Sequence, residues 1–264
     1  MHALRARPGI NCDAIILAAG RGERMRPLTD VCPKPLLQVR GKALMQWHIE
    51  ALAVGGVRSI VVNTAWLGAQ IAAHFGARFA WAGQARSSAG IADSQDAVVR
   101  LVYSNEGLDF GGALETAGGI ARALPQLADP FWVVAGDVFA PDFPFAPAAL
   151  QNLQASGKLA HLWLVPNPPH NPNGDFSVSS HGLARNQGQL RHTFSTIGLY
   201  RHALFAPPYC DIAAGNPHGV QAAMAPILRA AVAQDRVSAQ LYTGRWVDVG
   251  TPQRLAELNR PTPT

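Results

Sequence analysis

Residues 13–19 read Asp-Ala-Ile-Ile-Leu-Ala-Ala and break at once into Gly20-Arg21-Gly22. An apolar run this short, stopped by glycine, is a buried strand. A buried strand must be covered on both faces, and the following residues supply the cover. Residues 43–54 place Leu44, Trp47, Ala51 and Val54 at helical spacing and stop at Gly55-Gly56. Residues 58–63 (RSIVVN) are short and β-branched, so a strand; 66–75 read as a helix, 99–104 as a strand, 114–124 as a helix and 131–135 as a strand. Strand–helix alternation of this kind predicts an α/β fold, with a mostly parallel sheet between two helical layers.

Beyond Asp142 the pattern changes. A proline-punctuated stretch leads to a strand at 160–165, a Pro/Asn-rich loop at 166–174 and extended segments through Tyr200. We expect mixed-direction strands that join the same sheet and carry a small lobe, with closing helices at 219–234 and 252–259. Residues 76–96, rich in Ala, Gly and Ser, read as a loop or an insertion.

Several classes are excluded by composition and charge. The apolar stretches 13–19 and 131–135 fall far short of the roughly 18 residues of a membrane helix. The basic N-terminus is followed by no apolar signal core, which leads us to expect a cytoplasmic chain without a membrane partner. Cys12, Cys32 and Cys210 are too scattered for a disulfide framework or a zinc site. The net charge of +5 is spread along the chain without a basic run or interleaved aromatics, so it suits small phosphorylated ligands and argues against nucleic acid.

The densest chemistry lies in residues 17–37, LAAGRGERMRPLTDVCPKPLL. Small residues after a buried strand let backbone N–H groups approach a polyphosphate. Arg24 and Arg26 follow, and then Lys34 held between two prolines. Lysine occurs elsewhere only at Lys42 and Lys158. The GxGxxG spacing of dinucleotide folds is absent, as is the GK[ST] of a Walker loop.

This run, Gly20-Arg21-Gly22-Glu23-Arg24-Met25-Arg26-Pro27-Leu28-Thr29 with Pro33-Lys34-Pro35-Leu36, resembles the signature of the sugar-1-phosphate nucleotidyltransferases, or pyrophosphorylases. The resemblance implies a Rossmann-like three-layer α/β/α nucleotidyltransferase fold with a small sugar-side lobe. It implies one domain over 1–264, with 13–141 the nucleotide-binding half and 142–260 the sugar- and metal-binding half. By the same resemblance Ala18, Ala19, Gly20, Gly22 and Glu23 lie along the nucleotide. Arg24 contacts the triphosphate, and Lys34 bridges the phosphates of the two substrates.

Two aspartates follow short apolar strands: Asp137 in FWVVAGD and Asp248 in RWVDVGTP. A carboxylate at the C-terminal edge of a parallel strand faces the ligand crevice. Mg²⁺ takes one or two carboxylates together with phosphate oxygens and water. Gly-Asp is also a common turn, and Asp248 is placed to cap the next helix; the resemblance makes the two the Mg²⁺ pair. It also makes Glu115 and Gly118, in Leu114–Gly119, part of a base-recognition segment, with Asn105 or Glu106 a further base contact.

The loop Asn167-Pro168-Pro169-His170-Asn171-Pro172-Asn173-Gly174-Asp175-Phe176 is dense in hydrogen-bonding groups on a proline-stiffened frame. With Thr193-Phe194-Ser195 and Ile197-Gly198 it is most similar to the N-acetylmuramate α-1-phosphate uridylyltransferases of cell-wall recycling. That implies UTP as the nucleotide and Asn167, Gly174, Asp175, Ile197 and Gly198 as sugar contacts. There are two departures: no Glu-Lys-Pro segment supplies a second lysine, and Thr196 stands where relatives carry glycine. Mannose-1-phosphate guanylyltransferase, glucose-1-phosphate thymidylyltransferase and a nucleotide-binding regulatory protein with an inactive site remain alternatives. A monomer or small homo-oligomer is expected.

Overall fold

The computed structural model describes residues 12–81 and 97–260. Eight strands form the main sheet: β1 (Cys12–Ala18), β2 (Ser59–Thr64), β3 (Arg78–Trp81), β4 (Ala97–Asn105), β5 (Leu127–Ala135), β6 (Ala160–Val165), β7 (Thr193–Tyr200) and β8 (Val237–Leu241), in the order β8-β6-β7-β5-β1-β2-β4-β3. Only β3 and β7 run against the rest. The sheet is thus mostly parallel, and the mixed directions fall on β3 and in the second half.

The central strands are apolar on both faces because helices cover both. One face buries Ile15, Val61, Val133 and Leu162 under helices α3 (Glu115–Ala123) and α5 (Met224–Ala233), through Ile120, Ile227 and Leu228. The other buries Ile16, Val62, Trp132 and Val134 under α1 (Leu44–Val54), α2 (Gly68–Phe75) and α4 (Pro147–Ser156), through Ile49, Leu52, Phe75 and Leu153. These three layers are the ones the alternation predicts.

A third, smaller core lies off the sheet: Met25, Leu37, Val39, Leu44, Phe139 and Val249, with Leu255 and Leu258 of α6 (Pro252–Asn259) packed against it. It clamps the loop after β1, the segment after β5 and the C-terminal helix together.

Two expectations need correction. Part of the 76–96 segment is a strand: Arg78–Trp81 pairs antiparallel with Ala97–Arg100 and forms one edge of the sheet. Its short Arg-Phe-Ala-Trp sequence is masked by the glycines and serines downstream; residues 82–96 lie outside the described residues. The helix expected from Gly219 begins only at Met224, because Gly219 sits at φ +65 in a turn. Among the described residues no helix is long and apolar enough to cross a membrane.

Candidate active site

Parallel sheets collect their loops at the carboxyl edge of the strands, and here that edge holds the polar residues. After β1 the chain folds back on itself at Gly22, which has φ +69; a Cβ there would stand 3.1 Å from Thr29 Cγ2 and 3.3 Å from Lys34 Cβ. Thr29 Oγ1 donates to the Gly22 carbonyl (2.8 Å), and Trp66 Nε1 donates to the Thr29 carbonyl (2.8 Å). The Arg21 guanidinium lies 3.6 Å from the centre of the Trp66 ring, while Arg21 and Arg26 both pair with Asp30. Two of the loop's arginines are thereby tied down. Arg24 makes no ion pair with any described residue and faces the cavity.

Lys34 is 6% exposed, and its Nζ lies 2.8 Å from Asp137 Oδ2. A buried ammonium requires such a partner. Asp137 follows β5 through Gly136, whose N–H donates to the Leu17 carbonyl (2.8 Å). The next residues, Val138-Phe139, pair antiparallel with Val247-Asp248, and Val249 N–H donates to the Asp137 carbonyl (3.0 Å). The two aspartates, far apart in sequence, therefore meet on neighbouring strands. Behind them His48 is fully buried with Nε2 2.7 Å from the Val138 carbonyl. Burial pushes its pKa down to about 4, so the ring is neutral near pH 7 and donates from Nε2.

Asp248 Oδ2 accepts from Arg254 Nη1 (2.9 Å) and lies 3.2 Å from His170 Nε2. The cap of α6 is Thr251, which accepts from Arg254 N–H, so Asp248 does not cap the helix. In both aspartates Oδ2 is held by a basic side chain, while Oδ1 makes no hydrogen bond to a described residue. Each carboxylate thus keeps one hard oxygen without a described partner, the donor type that Mg²⁺ takes, although the described residues include no group of three or more acidic, His or Cys side chains placed to hold an ion. Sequence reasoning singled out neither Arg254 nor His170 as a site residue. His170 stood inside the recognised loop, but nothing marked it as a neighbour of Asp248.

On the base side, Glu115 and Thr116 line the cavity, with Glu115 in the left-handed region at φ +58. Asn105 and Glu106 do not reach it. Asn105 Oδ1 accepts from Thr64 Oγ1 (2.9 Å). Glu106 is 0% exposed and accepts from Asn63 Nδ2 (2.7 Å) and Leu114 N–H (2.8 Å). Asn63 Oδ1 in turn accepts from Ala18 N–H (2.8 Å). The result is a buried bridge from the end of β1, across β2 and β4, to the residue before Glu115. Desolvation raises the Glu106 pKa, opposed by these hydrogen bonds. Gly118 also lies behind the cavity surface, where a Cβ would stand 2.4 Å from the Val220 carbonyl oxygen. Its smallness serves the packing of the 216–222 loop.

On the sugar side the predicted residues divide. Asp175 lines the cavity, with Oδ2 accepting from Phe194 N–H (2.8 Å) and Asn171 Nδ2 (3.2 Å). Asn167 turns inward to brace the loop: Nδ2 donates to the carbonyls of Pro172 and Arg191 (3.0 Å each), and Oδ1 accepts from Thr193 Oγ1 (3.0 Å). Gly174, φ +60, lets Arg191–His192 pass, since a Cβ would stand 2.7 Å from Arg191 C. Ile197 and Gly198 are buried in β7, opposite Val134 and Val133, and do not face the cavity. The expectation missed a bulge. Residues 195–197 oppose Trp163 alone, Thr196 takes φ +62, and the cavity is lined by Phe194, Thr196 and Tyr200 instead.

These walls enclose about 900 Å³. Of the predicted site residues, Ala18, Gly20, Gly22, Glu23, Arg24, Lys34, Glu115, Asp137 and Asp175 line it. Asp248 is joined to it through the strand pair with Val138 and by Gly250, which lines the cavity. Ala19 is buried at the loop's base.

The profile of the nucleotidyl transferase family matches residues 13–263. The chain belongs to this family. Among its enzymes, an N-acetylmuramate alpha-1-phosphate uridylyltransferase of Neisseria meningitidis serogroup B is 47% identical over 92% of this chain and 95% of its own length. The enzyme of the same description from Caulobacter vibrioides is 30% identical over 92% of this chain and 97% of its own. A Bacillus anthracis protein described as a glucose-1-phosphate thymidylyltransferase superposes with a TM-score of 0.70 at 18% identity, covering 94% of this chain and 93% of that one. At that identity the likeness speaks for the fold, the Rossmann-like nucleotidyltransferase fold anticipated from the glycine loop. The family's reaction class, transfer of a nucleotidyl group to a sugar phosphate, is that of this chain.

Proposed function

We propose that the chain joins UTP to N-acetylmuramate α-1-phosphate, giving the UDP-sugar and pyrophosphate for the recycling of cell-wall sugar in the cytoplasm. The observation that carries this is the convergence of Arg24, Lys34 and Asp137 on one cavity, in a chain 47% identical to an enzyme of that description. Residues 13–141 take the nucleotide, and 142–260 take the sugar and complete the metal site.

The reaction is an in-line displacement. An oxygen of the sugar phosphate attacks the α-phosphorus of UTP, the bond from that phosphorus to the bridging oxygen breaks, and pyrophosphate carries the electron pair away. A phosphate monoester is already ionised near neutral pH, so no strong base is needed. What the protein supplies is alignment and positive charge. Arg24, which faces the cavity without an ion-pair partner among the described residues, takes the triphosphate. Lys34, held by Asp137, lies between the two phosphates. The backbone of Ala18–Gly22 and the Glu115–Thr116 turn flank the nucleotide, and Asp175 accepts from sugar hydroxyls. Asp137 and Asp248 would hold Mg²⁺, which lends Lewis-acid charge to the phosphoryl oxygens. Asn105, Glu106, Gly118, Asn167, Gly174, Ile197 and Gly198 support the walls from behind.

The test is pyrophosphate release in Mg²⁺ with each nucleoside triphosphate against a panel of sugar 1-phosphates. Fastest turnover with UTP and N-acetylmuramate 1-phosphate is expected. Faster turnover of a mannose or glucose phosphate with another nucleotide would refute the substrate assignment, and no turnover of any pair would refute the catalytic reading.

A further inference from the structure

The cavity has a cation that the chemistry above does not use. Arg229, on α5, lines the wall opposite in sequence to the phosphate loop, and makes no ion pair with any described residue. Its guanidinium carbon stands 5.2 Å from the centre of the Phe176 ring. Its backbone is fixed as well, since Asn186 Nδ2 donates to the Arg229 carbonyl (2.9 Å). The acidic lining residue next to Phe176 is Asp175, and Asp175 Oδ2 is already committed to Phe194 N–H and Asn171. Arg229 is exposed, and its guanidinium has no hydrogen-bond or ion-pair partner among the described residues; it stands beside an apolar surface of Phe176, Leu228 and Met224.

We infer that Arg229 is a specificity-determining residue that reads a carboxylate on the sugar. The inference rests on the substrate proposed above. N-acetylmuramate differs from N-acetylglucosamine by a lactyl ether, which adds one carboxylate and one methyl group. A planar guanidinium matches a carboxylate with two parallel hydrogen bonds, and the adjacent apolar surface suits the methyl. The phosphates have their own cations, Arg24 and Lys34, on other elements. Water screens a pair on so exposed a side chain, so a preference of roughly tenfold is expected rather than the full strength of a buried charge-assisted bond.

The experiment compares N-acetylmuramate 1-phosphate with its lactyl amide, the same shape without the charge, in the wild-type enzyme and in Arg229→Met. Methionine keeps a long side chain against Phe176 and a good helix propensity. The wild type should prefer the acid by roughly tenfold in kcat/KM. R229M should lose that preference, with its KM for UTP and its turnover of the amide within threefold of wild type. Equal loss on acid and amide would assign Arg229 to the shared phosphate and overturn the inference. So would a preference retained in R229M, or a wild type indifferent to the charge. A wild type that uses neither compound but turns over another sugar phosphate would refute the substrate proposal itself, and the inference with it.

Discussion

The phosphate end and the sugar end of the cavity are built on different physics. At the phosphate end each charged residue neighbours a member of one dry core. Arg24 precedes Met25, Asp137 stands two residues before Phe139, Asp248 precedes Val249, and Lys34 lies three residues before Leu37. Packing at near-crystalline density fixes their backbones. At the sugar end the loop 166–176 is held to residues 191–194 by hydrogen bonds of Asn167, Asn171 and Asp175 that are part-buried or exposed. Such bonds are each worth about 1 kcal/mol and compete with water. On the roles proposed above, the reacting charges sit on the packed end and the sugar contacts on the hydrogen-bonded end.

The comparison breaks most visibly at the rigid end. Lys34→Ala and Asp137→Asn should each lower kcat at least about a hundredfold, the scale of a lost transition-state charge, with the circular dichroism of the fold unchanged. Turnover within tenfold of wild type in either variant would remove these residues from the reaction.

Two histidines lie outside the cavity, buried His48 behind Asp137 and half-buried His161 near the start of β6, and desolvation pushes both down to a pKa of about 4. Above pH 6.5 both are neutral whether folded or unfolded, so they add no pH dependence there. Between about pH 6.5 and 4 the unfolded chain takes up protons that the folded chain refuses. Stability should therefore fall with pH by up to about 1.4 kcal/mol per unit for each histidine. Denaturant titrations at pH 7 and pH 5 measure this. His161→Phe should flatten part of the slope, and an unchanged slope would mean that the ring is already solvated.

Glu106→Gln tests whether the buried bridge belongs to the rigid end. Glutamine accepts on one side only and turns an NH₂ toward a donor on the other. A loss of about 2 kcal/mol is expected, or roughly 4–8 °C in Tm, together with a raised KM for UTP. A normal KM for UTP beside that loss would make the bridge purely structural. Asn167→Ala should be milder and confined to the sugar, raising its KM about tenfold with kcat within threefold; an equal effect on UTP would erase the distinction between the two ends. The smallest change expected is Thr196→Gly. A β-branched residue at φ +62 is strained, so glycine there should gain up to about 1 kcal/mol in chemical denaturation.

The same division governed what could be read from the chain. Gly22, Lys34 and the aspartates announce themselves because few structures need a glycine, a proline-flanked lysine or a Gly-Asp at those places. The α/β alternation was equally plain, since burial on both faces leaves long apolar runs. Asn63 was invisible: it ends an ordinary strand, and only the pairing of β2 with β1 and β4 brings it to Ala18 and Glu106. The resemblance places Ile197 and Gly198 at the sugar, but a bulge, which cannot be seen in one strand alone, shifts which residues face the cavity. Gly118 and Gly174 looked like ligand contacts for a related reason. A glycine records that something comes close, and here the neighbour is the chain itself.

The pairing of Val138-Phe139 with Val247-Asp248 has a consequence for the order of events on the ribosome. All eight strands of the sheet have been synthesised by Leu241, so a nascent chain can complete its hydrogen-bonded scaffold before Asp248 has left the exit tunnel. Until residues 247–249 dock, the strand after β5 is a bare edge and the second carboxylate is missing. The strands of the sheet can therefore pair before the residues of the second carboxylate and of the third core arrive, and a chain stopped before Arg245 would lack both.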